Sequence, residues 1–218
     1  MDFILDEYEV RVLGALMEKE LTTPEYYPLT LNALVNACNQ KSNREPVVNY
    51  DEKTVYRTLD SLREKRLVYQ DMSSGRVPKY GQNFSHLMNI LKKETGVLCV
   101  FLLRGPQTVG EIRGRTGRMY EFSGLDEVQE TIDNLAEMKL ITRLPRQPGR
   151  KEHRYAHLLS GEPAAESEEE QTARPEAAAR EVRAEDQRTL ELEEQIKGLK
   201  AEVAELRQEF DDFKKQFE

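Results

Sequence analysis

The sequence has no tryptophan, two cysteines and three histidines in 218 residues. Two isolated cysteines, Cys38 and Cys99, exclude a disulfide framework and fit a reducing compartment. No run of 18 or more apolar residues occurs, so no membrane span is expected. The first residues, Met1-Asp2-Phe3-Ile4-Leu5-Asp6-Glu7, are acidic and carry no basic, then apolar, leader. A cytoplasmic location is the expectation. Nucleotide-cradling glycine patterns and a nucleophile elbow are also missing. The basic Arg113–Arg118 stretch is Gly-rich but follows a helical pattern instead of a strand, which argues against phosphate cradling. His153 and His157 lie on one expected strand, where a spacing of four residues separates them by about 13 Å, too far for one metal ion. His86 stands alone. The reading is no metal, no cofactor, no catalytic residue and no enzyme.

Hydrophobic residues make up 38% and charged residues 33%, which suggests a compact body diluted by a solvated part. The charge supports that division. Residues 161–218 hold 9 Lys and Arg against 18 Asp and Glu, a charge of −9. Residues 1–160 hold the other 23 and 22, a charge of +1, so the whole-chain value of −8 misdescribes the body.

The body reads as one unit written twice. Asp6 and Glu9 form a capping box before Val12, Leu13, Leu16 and Met17. A second helix follows Thr30, with Leu31, Leu34, Val35 and Cys38 on one face. A third follows Asp51, with Val55, Leu59 and Leu62. The segments 67–69 and 77–80 then flank Ser73-Ser74-Gly75 as a short hairpin. In the second copy Leu98, Phe101 and Leu102 mark the first helix, and Thr108 and Glu111 cap the second. Val128, Ile132 and Leu135 mark the third, and a hairpin turns at Gln147-Pro148-Gly149. Val55, Leu59, Leu62, Leu67 and Val68 fall on Val128, Ile132, Leu135, Leu140 and Ile141 at a constant offset of 73.

Three helices and a two-stranded wing describe the winged-helix form of the helix-turn-helix. The expected fold class is mainly α with small β wings (α+β): two tandem winged-helix domains, a flexible linker and a C-terminal coiled-coil helix. The boundaries are 1–84, 85–160 with a helical connector, 161–185 for the acidic Ala/Glu/Pro linker, and 186–218 for the coil. Leu192, Ile196, Leu199, Val203, Leu206, Phe210, Phe213 and Phe217 recur at alternating steps of four and three. β-branched a positions with leucine at d favour a parallel dimer. The g–e pairs Arg188–Glu193, Glu202–Arg207 and Glu209–Lys214 are complementary across that dimer. One amphipathic helix docked on its own body is the alternative.

The motifs 21–32 (LTTPEYYPLTLN), 39–47 (NQKSNREPV), 103–108 (LRGPQT) and 144–150 (LPRQPGR) resemble the bacterial YceH family. The resemblance spans nearly all of residues 1–160 and leaves out the tail. It implies a tandem winged-helix protein of the bacterial cytoplasm and assigns no catalytic residues.

In a helix-turn-helix the third helix buries one stripe and offers the opposite face to the major groove. At roughly 3.6 residues per turn, that face holds Lys53, Arg57, Asp60 and Glu64. Lys53, Thr54, Tyr56 and Arg57 occupy the half that reaches bases, the preceding loop adds Lys41, Asn43 and Arg44, and the wing adds Arg76 and Lys79. These nine are the expected contacts to double-stranded DNA. A solvated face is the plain alternative. The equivalent face of the second copy is Asp126, Glu130, Asp133 and Glu137, which phosphates would repel. Its wing carries Arg143, Arg146, Arg150, Lys151 and Arg154, suited to a DNA backbone or to acidic protein surface. Tyr26 and Tyr27 between prolines read as wedges filling a loop.

The sequence thus predicts a homodimeric DNA-binding transcription regulator. The rival is an adaptor that binds protein through its winged helices, as in chromosome-condensation accessory subunits, with a partner on the acidic second face.

Overall fold

Several helices begin where a side chain accepts from one of their first amides. In a computed structural model that describes residues 3–73, 76–146 and 152–163, helix α1 spans Glu7–Thr22 behind the reciprocal Asp6–Glu9 capping box. Helix α2 (Leu31–Cys38) is capped by Thr30 and α3 (Glu52–Glu64) by Asp51. Strands β1 (Leu29–Thr30), β2 (Val68–Asp71) and β3 (Lys79–Gln82) form an antiparallel sheet in the order β1-β3-β2. A short helix α4 (Phe84–Leu87) leads to α5 (Lys92–Arg104), α6 (Val109–Thr116) and α7 (Leu125–Glu137). Strands β4 (Ile141–Arg143) and β5 (Tyr155–His157) pair antiparallel. The architecture is mixed: helices with two small antiparallel sheets.

The offset of 73 extends to the backbone. Helices α3 and α7 begin and end 73 positions apart, and both bury a threonine, Thr58 and Thr131, that donates to the carbonyl four residues earlier. Both helices close the same way. Arg66 and Lys139 take φ of 61° and 58°, and the next amide returns to the helix, Leu67 N–H to Leu62 O and Leu140 N–H to Leu135 O, each at 2.9 Å. This is a Schellman closure with a basic residue where glycine is usual.

One element was not anticipated. The hairpin of the first copy gains a third strand, β1, pairing Leu29 with Tyr80 and Thr30 with Lys79. The second copy repeats it as one bridge, Gln107 to Tyr155. Two residues are too few to show strand periodicity.

Residues 1–165 form one compact unit. Its centre is the contact of α1 with α5, the first helices of the two copies. Residues 11–18 of α1 are all buried, and so are residues 94–103 of α5. A helix apolar on one face cannot account for that; α1 packs on α2 and α3 on one side and on α5 on the other. Gly14 permits the approach, since a Cβ there would lie 3.0 Å from Leu102 Cβ and Leu103 Cδ2. Cys99 fills the same seam, its thiol donating to Gly14 O at 3.5 Å. Cys38 is also buried, which raises its pKa to about 12 and keeps it a thiol, a packing residue in place of a nucleophile.

Polar groups inside the unit set its response to acid. His157 is half-buried on β5, and its Nδ1 is enclosed with no hydrogen-bond partner among the described residues. Burial lowers its pKa from 6.5 to about 4. A group depressed by folding contributes stability that is complete above its unfolded value and is lost as the pH falls through the folded one. The urea midpoint is therefore expected to decline between pH 6.5 and 4, and His157→Gln should flatten that part of the profile. An equally steep decline in the variant would assign the effect to other groups.

Candidate nucleic-acid interface

Helix α3 turns Val55, Thr58, Leu59 and Leu62 inward. Lys53, Tyr56 and Arg57 are exposed on the outside, with Thr54 half-buried beside them. Asp51 accepts from Thr54 N–H at 2.8 Å, which fixes the N-terminal turn, and the Thr54 side chain and this backbone bond together hold its carboxyl below the ordinary carboxylate value. The ridge continues to Asp60 and Glu64. Arg63, which the helical-wheel reading passed over, is exposed there too and pairs with Asp60 at 3.2 Å. Its signal in the sequence is the i,i+3 spacing from Asp60. This pair removes part of the negative charge that would weaken the ridge.

The preceding loop is only partly as expected. Lys41 and Asn43 are exposed, but Arg44 is buried with its side chain at 0% exposure. Its guanidinium forks onto Glu18, at 2.6 and 3.0 Å, and also reaches Ala37 O and Gln40. Arg44 is thus corrected from a phosphate contact to an interior ion pair. The reason is Glu18, which α1 carries into the body and whose two carboxylate oxygens the arginine fork meets together. Burial alone would raise the Glu18 pKa, but Arg44 and Lys19 outweigh it and hold the carboxyl below its ordinary value. Asn43 takes φ of 60° and accepts from the Arg104 guanidinium. Near the β2–β3 pair, Arg76 is exposed and Lys79 half-buried.

In the second copy α7 buries Val128, Thr131, Ile132 and Leu135, and exposes Asp126, Glu130, Asp133 and Glu137. Gln129 donates to Asp133 at 2.8 Å. Of the cations expected on a second wing, Arg143 and Arg146 are exposed, while Arg154 is half-buried and reaches Glu111 at 3.3 Å. Arg150 and Lys151 lie outside the described residues, as do the heptad positions Leu192 to Phe217. Tyr27 behaves as a wedge, half-buried with its hydroxyl accepting from Gln82 N–H at 2.5 Å, whereas Tyr26 is 73% exposed. Among the described residues no three His, Cys, Asp or Glu side chains are grouped to hold a metal ion, and no helix is long and apolar enough to cross a membrane.

A family model described as "Protein of unknown function, DUF480" matches residues 5–150. A UPF0502 protein of Geotalea uraniireducens (strain Rf4) is 54% identical over 220 residues, covering 100% of both chains. Another, from Solibacter usitatus (strain Ellin6076), is 51% identical over 218 residues, again 100% of both. The one from Opitutus terrae (strain DSM 11246 / JCM 15787 / PB90-1) is 59% identical over 162 residues, 72% of this chain and 70% of its own. Full-length alignment brings the tail, which carried no recognised motif, into the likeness. With the match across most of the body, and in keeping with its YceH-like motifs, the chain belongs to the DUF480/UPF0502 family of bacterial proteins.

Proposed function

We propose that this protein is a DNA-binding transcription regulator built from two tandem winged helices, with α3 of the first as its reading helix. The observation that carries the proposal is the exposed Lys53, Tyr56 and Arg57 on the N-terminal half of α3, above a stripe that is entirely buried. Two cations and a phenol at that end can meet phosphates and base edges, while Lys41, Arg63, Arg76 and Lys79 extend the footprint. Phosphate contacts dominate such binding, so it is steeply salt-dependent. The protein acts as a cytoplasmic binder and not as an enzyme. Residues 186–218 make it a parallel homodimer, joined to the body by the 161–185 linker.

The test is a salt titration on mixed-sequence duplexes. Lys53→Glu with Arg57→Glu should weaken binding on the order of 100-fold at low salt and reduce the slope of log K against log salt by about 2. No binding by the parent at low salt, or an unchanged double variant, removes the regulator reading. Deleting residues 186–218 should lower the sedimentation mass to that of a monomer; an unchanged mass would refute the dimer.

A second reading rests on α7. Its four exposed carboxylates repel DNA and suit a basic protein surface, as in an adaptor that touches no nucleic acid. Failure of the salt titration would leave this reading in place.

A further inference from the structure

The two copies differ in one loop. Helix α6 lies 78 positions after α2, but α7 lies 73 after α3, so the first copy carries five more residues between its second and third helices. That longer loop, residues 39–51, leads directly into α3. Its ends are clasped by one side chain, Asn39, which donates to Tyr50 O at 2.8 Å and accepts from Tyr50 N–H at 2.7 Å. Its middle reaches back to α1. Arg44 plugs into Glu18 of α1, and Pro46 O accepts from Arg11 of α1 at 2.5 Å. The next contacts come from the other copy. Glu45 N–H donates to Leu103 O at 2.8 Å, and Asn43 accepts from Arg104, both at the C-terminal end of α5.

We infer that the second copy serves the first as a brace: the end of α5 grips residues 43–46 and thereby fixes the start and pitch of α3, with Asn43 and Arg44 as positioning residues instead of DNA contacts. The inference rests on the DNA-binding reading for its consequence, though not for its geometry. It accounts for the acidic α7. A copy whose role is to hold a loop through α5 needs no cationic third helix. It also accounts for the positive φ of Asn43, which points the loop apex at Arg104. Asparagine tolerates that conformation and offers a carbonyl, whereas glycine would tolerate it and offer nothing.

Two charge-conserving variants of the full chain test this. Asn43→Gly removes the acceptor without straining the backbone. Arg44→Lys keeps the charge beside Glu18 but loses the fork. Amide exchange of the free protein is read first. The brace predicts about tenfold faster exchange confined to residues 39–57, with α6 and α7 unchanged. Duplex affinity is read second, and should fall about three- to tenfold with the salt slope unchanged, since no phosphate-facing charge is altered. If Arg44→Lys fails to fold, Asn43→Gly carries the test alone. Exchange equal to the parent's overturns the brace, and so does faster exchange with undiminished affinity. Faster exchange spread evenly over the body also overturns it, because that reports general destabilisation. Should the parent bind no duplex at low salt, the regulator reading falls, and exchange alone decides whether α5 holds α3.

Discussion

Arg44→Met is expected to destabilise the body by about 3–5 kcal/mol, among the largest effects of any single substitution in this chain. The substitution leaves the Glu18 carboxylate inside the protein without either arm of the fork, and leaves Ala37 O without its guanidinium donor. Lys19, at 3.6 Å from Glu18, is partly exposed and replaces only some of the lost interaction. The carboxyl would take up a proton more readily, so the deficit should shrink as the pH falls. The double variant Glu18→Met with Arg44→Met should recover much of the loss, since two apolar side chains of similar volume avoid the desolvation that the ion pair incurs. Urea midpoints of the single and double variants at neutral pH measure both effects. A single variant within about 1 kcal/mol of the parent would mean that the pair is solvated after all.

Leu59→Ala and Ile132→Ala should each remove about 2–5 kcal/mol, and both should lower the same unfolding transition. The two side chains occupy equivalent places in the two copies, and each is completely buried. If the copies were independent, each substitution would unfold its own half and leave the other standing. The packing argues for one transition. Helix α1 is buried on the side facing its own copy and on the side facing α5, with Gly14 bringing the backbones close. Neither copy keeps its first helix covered when the other unfolds. Calorimetry decides the matter, and two resolved transitions in Leu59→Ala would overturn the expectation.

The sequence carried the local structure well because local rules produced it. Asp6, Thr30, Asp51 and Thr108 cap helices where their spacing says they should, since an N-cap depends on its own turn and little else. The third helices are legible for a related reason: Val55, Leu59 and Leu62 repeat at helical spacing, and their partners 73 positions on do the same. The exposed ridge of α3 followed from that stripe by geometry alone, which is why Lys53 and Arg57 lie where the wheel put them. Strand β1 did not follow, because its two residues become a strand only when Tyr80 and Lys79 arrive beside them.

Arg44 marks the limit of the sequence most clearly. In the chain it is one of three loop residues, with Lys41 and Asn43, that suit a phosphate contact, and nothing nearby distinguishes it from Lys41. Only the packing of α1 places Glu18 where that guanidinium must meet it, across 26 positions of sequence. The amino-acid order by itself determined the helices, their caps, the duplication and the sign of each exposed ridge, because these depend on neighbours within a turn or two. Tertiary structure decided which cations face outward and which are consumed inside. A buried carboxylate recruits whichever long-range partner can neutralise it, and that choice belongs to the folded chain.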